Sequence, residues 1–131
     1  DGSSYLLKAP DKINFLSLMF ICPISCQSVI YDAEKIGKIM SEDIKKRNDY
    51  ALWIKIIKKT KNAYCFKESL GTYRKGNMGL SSNKFDNLRY YWILMIMFYS
   101  RYLLILPIST IVYLVILIIK KSSPNLYNKL F

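Results

Sequence analysis

One carboxylate stands where it could do chemistry. In "KRNDYALWIKIIKK" (Lys46–Lys59), Asp49 opens an apolar run with helical spacing. At about 100° per residue, Tyr50, Leu52, Trp53, Ile54, Ile56 and Ile57 gather on one broad arc, and Lys55, Lys58 and Lys59 gather opposite. Asp49 projects from the middle of the apolar arc, not from the lysine side. Two roles fit it. It could start the helix, since Asn48 and Asp49 are both capping types and a first-turn carboxylate is favoured by the helix dipole. It could instead be a general base at the rim of a site, placed to take a proton from a substrate hydroxyl. About 25 residues later, "YRKGNMGLSS" (Tyr73–Ser82) holds Arg74, Lys75, two glycines, Ser81 and Ser82. Such a basic loop can face phosphate or simply be solvated charge, and Ser82 suits the N-cap of the helix that follows.

The chain contains no histidine, so it offers no Ser-His-Asp or Cys-His nucleophile and no mixed Cys/His zinc site. Its three cysteines, Cys22, Cys26 and Cys65, read as buried reduced thiols and favour a reducing compartment. The net charge of +11 is uneven. Residues 1–101 carry 17 Lys and Arg against all 9 acids, and residues 102–131 carry three lysines and no acid. No zinc-finger spacing or ribonucleoprotein motif accompanies this charge, and the aromatics sit in apolar runs. No nucleic-acid partner is expected. An anionic membrane surface or a phosphorylated substrate explains the charge.

The elements that must position these residues read as follows. The 131 residues suit one modest domain, and a chain starting at Asp1 reads as a piece of a longer protein. Residues 1–12 are irregular. Residues 13–21 are a short apolar helix ended by Pro23. "SCQSVIYD" (Ser25–Asp32) is a strand, Ala33–Met40 a helical turn closed near Gly37, and Ser41–Arg47 a charged surface loop. A helix covers 49–60, and Lys61–Lys75 holds one or two strands. Then "YLLILPISTIVYLVILII" (Tyr102–Ile119) runs 18 residues without charge, bounded by Arg101 and by Lys120 and Lys121. That is the minimum length for a membrane span. Tyr90–Tyr99 reads as an interfacial helix. A re-entrant or surface-lying helix hinged near Pro107 would keep both basic flanks on one side, and is preferred to a full span.

The pair "NDYALWIKI" and "TYRKGNMGLSSNK" resembles the acceptor side of family 2 glycosyltransferases. There an Asp, usually in a Glu-Asp pair, precedes Tyr-x-Leu-Trp, and a strand ending in Tyr-Arg leads into a Ser-containing loop. "SCQSVIYD" is similar to the strand that often lines the acceptor pocket. The resemblance spans roughly residues 5–100. It implies an α/β fold: the C-terminal part of a GT-A, Rossmann-like α/β/α sandwich over residues 1–87, followed by membrane-associated helices over 88–121 and a polar tail over 122–131. It implies a nucleotide-sugar donor, a divalent metal (Mg or Mn) and inversion at the anomeric carbon. Asp49 matches the general base, and Arg74 and Lys75 match the loop that faces the donor diphosphate. Ser28 and Trp53 match the acceptor pocket.

Four departures refine this. Asn48 replaces the usual Glu. Glu42 and Asp43 form a literal Glu-Asp pair, but no Tyr-x-Leu-Trp follows, so they read as loop charges. Gln-x-x-Arg-Trp, found in processive synthases, is absent, which favours adding single sugars. No Asp-x-Asp motif occurs in this chain, which supplies no metal ligands. The expected function is a glycosyltransferase of bacterial surface polysaccharide synthesis. It works on a glycan or lipid-linked acceptor at the cytoplasmic face of the cell membrane, and this piece is inactive without a nucleotide-binding half. The alternative is a non-catalytic, basic, membrane-anchored interaction module.

Overall fold

A computed structural model describes residues 6–69, 71 and 84–130. Two short strands, β1 (Lys12–Asn14) and β2 (Asn62–Tyr64), pair antiparallel with Ile13 opposite Ala63. Five helices accompany them: α1 (Ala33–Ile36), α2 (Asn48–Thr60), α3 (Lys84–Tyr99), α4 (Leu106–Ser122) and α5 (Pro124–Leu130). The described part is therefore mostly helical with a small sheet, α/β only in part.

Helix α2 forms as its sequence dictates. It contains no Gly or Pro, and it ends where Lys61 turns into the left-handed region at φ 68°. Its buried residues are Tyr50, Ala51, Trp53, Ile54, Ile56 and Ile57. Burial of Ile54 and Ile57 contributes about 1.5–3 kcal/mol each. Leu52 is only half-buried and Ala51 is fully buried, so the buried arc centres near Tyr50 and Ile57. Asp49 consequently lies toward the rim of that arc and not, as its spacing alone suggests, in its middle.

Two local readings are corrected. Residues 13–21 do not form one helix. Asn14 and Ser17 bond each other's backbone: the Asn14 side chain accepts from Ser17 N–H, and Ser17 Oγ accepts from Asn14 N–H. This local exchange competes with helix formation. It leaves β1 before it and one 3-10 turn, Ser17–Met19, after it. Residues 25–32 form no strand: they pair with neither β1 nor β2, and Ile30 is almost wholly exposed. Asp32 instead caps α1 by accepting from Lys35 N–H, and Gly37 closes α1 at φ 80°.

Three tyrosines fasten the 3-10 segment to the helices. The hydroxyls of Tyr50, Tyr91 and Tyr99 donate to the carbonyls of Leu18, Met19 and Phe15 respectively. Backbone acceptors that would otherwise be buried alone are thereby satisfied.

Helices α3 and α4 fold back on each other. Tyr91 and Tyr113 stack with ring centroids 4.4 Å apart, and the Tyr91 hydroxyl oxygen lies 3.2 Å from Ser109 Oγ. On a continuous helix Tyr91 and Tyr113 would stand about 33 Å apart. The reversal lies in the 3-10 stretch Ser100–Ile105, where Tyr102 leaves helical geometry. It is not a kink at Pro107, which sits in the first turn of α4 where its missing N–H costs nothing. By length and composition, Phe85–Ser122 is long and apolar enough to cross a membrane. Folded as it is, its apolar portion Leu106–Ile119 rises only about 21 Å, against a hydrocarbon core of ~30 Å. Helix α5 packs on α4 through the buried Tyr127, and Asn128 bonds Leu6 and Lys8 near the other end of the chain.

Candidate functional site

Asp49 stands in the first turn of α2, half-buried. The turn begins at Arg47, whose φ of 62° is left-handed and whose side chain does not cap. Asn48 Oδ1 accepts from Asp49 N–H, and Asp49 Oδ1 accepts from Tyr50 N–H. Among the described residues Oδ2 takes no hydrogen bond. The carboxylate thus helps start the helix with one oxygen and keeps the other for a further partner.

Trp53 follows four residues later on the same face. It is 7% exposed, and its indole Nε1 is buried without a partner among the described residues. Ser28 is exposed on the irregular 25–32 segment, and its hydroxyl donates to the Ser25 carbonyl. The fold brings Asp49 and Trp53 together, and no described contact joins Ser28 to them. Arg74, Lys75, Ser81 and Ser82 lie outside the described residues. Glu42, read as a loop charge, pairs with Lys55 at 2.9 Å.

Residues that carry no motif also gather at Asp49. Arg47 reaches inward: its Nε donates to the Asn87 carbonyl and its Nη2 to Tyr113 Oη. Its guanidinium lies over the rings of Tyr50, Tyr91 and Tyr113 at 5.4–6.0 Å. Cys22 lies beside it, and burial pushes this thiol up to about 12, opposed by the Ile24 carbonyl contact, with Asp49 raising it and Arg47 and Lys120 lowering it. Arg47 reads in sequence as one more loop cation. Only the aromatic spacing in α3 and α4 hints that it has a ring-lined seat.

The reading of all three cysteines as buried is corrected: Cys26 is exposed. At pH 8 a maleimide should therefore modify Cys26 well before Cys22, whose thiol stays protonated there. Peptide mapping by mass spectrometry checks the order, and equal rates would show Cys22 to be open.

Among the described residues no group of three His, Cys, Asp or Glu side chains comes together. The described residues alone therefore do not form a metal centre.

The described residues thus place an acid at a helix start with an aromatic side chain four residues on along the same face. Over about two thirds of its length the chain is similar to glycosyltransferases. One is TuaG of Bacillus subtilis (strain 168), named for teichuronic acid biosynthesis, 33% identical over 86 residues that cover 66% of this chain and 34% of TuaG. Another is the UDP-Glc:alpha-D-GlcNAc-diphosphoundecaprenol beta-1,3-glucosyltransferase WfgD of Escherichia coli, 32% identical over 85 residues that cover 64% of this chain and 33% of WfgD. The chain spans about a third of the length of these curated relatives. No family model matches it, and no solved structure matches it.

Proposed function

We propose that this chain is the acceptor-side part of a family 2 glycosyltransferase of GT-A fold. The enzyme moves single sugars, with inversion, from a nucleotide-sugar donor to a lipid-linked acceptor in bacterial surface polysaccharide synthesis. The observation that carries the proposal is Asp49: a half-buried carboxylate at the start of α2 with one oxygen uncommitted, in a chain similar to two glycosyltransferases of surface-glycan synthesis. Inverting transfer is one displacement, so one base beside the acceptor hydroxyl suffices. Asp49 takes the hydroxyl proton as the oxygen attacks the anomeric carbon, and the nucleoside diphosphate leaves. Arg74 and Lys75 stabilise the charge growing on that diphosphate. A divalent metal for the donor takes its ligands from elsewhere than the described residues.

The enzyme works at the cytoplasmic face of the cell membrane, where the exposed apolar side of α3 and α4 attaches it. Support comes from the half-exposed or exposed Ile96, Met97, Leu104, Ile108, Ile111 and Ile118 beside a basic rim.

The test uses membranes carrying the full-length protein, a labelled nucleotide sugar and a sugar-diphospholipid acceptor. Labelled lipid should form, and neutralising Arg74 and Lys75 together should raise KM for the donor more than KM for the acceptor. No transfer with any common nucleotide sugar would favour the basic membrane-anchored module instead.

A further inference from the structure

The two residues that end the loop before α2 are tied to another part of the fold. Lys46 Nζ pairs with Asp86 at 3.1 Å, and Arg47 Nε donates to the Asn87 carbonyl at 3.0 Å. Neighbours in the loop thus hold neighbours in the first turn of α3. Arg47 Nη2 also donates to Tyr113 Oη, 66 positions away on α4. The guanidinium lies 5.4 Å from the Tyr113 ring centroid and 6.0 Å from that of Tyr91 on α3. One side chain therefore reaches both arms of the α3–α4 hairpin. A lysine would keep the charge there but not the planar fork, which directs donors at two separate acceptors.

The same residue starts the helix that carries Asp49. The Arg47 carbonyl accepts from Ala51 N–H at 3.0 Å, a first-turn bond of α2. Its φ of 62° is left-handed, a costly conformation for a residue with a side chain and an ordinary one for glycine. Such a conformation persists where its surroundings hold it, and here the seat of the side chain on α3 and α4 supplies the hold. Tyr50 is anchored as well, with its ring 5.9 Å from the guanidinium and its hydroxyl on the Leu18 carbonyl. Asn48 and Asp49 lie between these two anchors. Among the described residues their side chains hydrogen-bond only to backbone N–H groups of their own turn. The place of the Asp49 carboxylate is therefore set by Arg47 before it and Tyr50 after it.

We infer that Arg47 is a positioning residue for the transfer reaction: it pins the first turn of α2 to the α3–α4 hairpin and so fixes where the Asp49 carboxylate meets the acceptor hydroxyl. This rests on Asp49 as the base proposed above. The inner side of the hairpin then sets the geometry of a carboxylate carried by a different element.

The test is steady-state kinetics of the full-length protein, with the donor and the sugar-diphospholipid acceptor of the transfer assay. It compares wild type, Arg47→Gln, Tyr113→Phe, Asp49→Asn and the first two substitutions each combined with Asp49→Asn. Arg47→Gln should lower kcat roughly 10- to 10²-fold, the scale of a catalytic group misplaced by about 1 Å, with both KM values held within about twofold. Tyr113→Phe keeps the ring and removes only the acceptor of Nη2, and should lower kcat about threefold or more. In the Asp49→Asn background neither substitution should lower kcat further, because no base remains to be positioned. If Arg47→Gln does not fold, judged by circular dichroism, Tyr113→Phe decides alone. Losses that multiply with that of Asp49→Asn would give Arg47 a part in the fold only and overturn the inference. A loss carried by KM instead of kcat would overturn it in favour of substrate binding. Wild-type kcat in the deciding variant, beside a slow Asp49→Asn, would overturn the positioning role and leave the base in place. Near-normal turnover of Asp49→Asn would overturn the base reading and this inference with it.

Discussion

Turnover by the full-length protein falls about 10²-fold or more when Asp49 is replaced by asparagine, the scale expected for loss of a general base. The choice of asparagine separates the two roles open to this residue. Asn and Asp are about equally good at a helix start. An amide oxygen can still accept from Tyr50 N–H, as Asp49 Oδ1 does. Stability should therefore change by about 1 kcal/mol or less. What the amide cannot do is take a proton from an acceptor hydroxyl. Loss falling on kcat, with the donor KM and the denaturation midpoint unmoved, identifies the base. Near-normal turnover would return Asp49 to the helix start and remove the observation on which the proposed function stands.

How much of this was legible in the sequence depends on the range of the interactions involved. Helix α2 was legible to within a residue, because its buried face repeats at helical spacing and nothing interrupts it. The turn closing at Gly37 was legible for a similar reason, since its cap residues are local. Residues 13–21 misled because apolar content alone does not separate a helix from a strand plus a turn. The deciding contacts are the side-chain bonds between Asn14 and Ser17, followed by pairing with residues about 50 positions away. "SCQSVIYD" has strand-forming residues but pairs with neither described strand, and its composition does not state whether a partner will meet it. The fold-back of α3 on α4 depends on Tyr91 meeting Tyr113, and no local rule states it. The same holds at the site. Asp49 and Trp53 share a face because they are four residues apart in one helix, whereas Arg47 meets Asn87 and Tyr113 only through the packing of three helices.

The fold-back sets up the second large effect. A hairpin carries its basic residues at both ends: Arg89 lies near the start of α3 and Lys120 and Lys121 at the end of α4, while Arg101 lies at the turn. Tip-first insertion would drag Arg101 into hydrocarbon, which is costly for a charged side chain. Lying flat leaves every cation at headgroup level and turns one face to the lipid. That face is defined: Leu104, Ile108, Ile111, Val115 and Ile118 recur at spacings of four and three and are 94%, 60%, 62%, 47% and 65% exposed. Burying an isoleucine side chain contributes about 1.5–3 kcal/mol, so Ile108→Asp with Ile111→Asp removes ~3–6 kcal/mol of attachment before the cost of the new charges. In a cell fractionation the full-length double variant should move from the membrane pellet to the soluble fraction. Because both positions are exposed, its helical circular dichroism should be retained. Orientation is checked separately with single cysteines at Arg101 and Ser122 in a cysteine-free background. An impermeant thiol reagent added outside intact cells should label neither. Labelling of one position but not the other would establish a full crossing by Tyr102–Ile119, and a double variant that stays in the pellet would show that this face is not what holds the protein on the membrane.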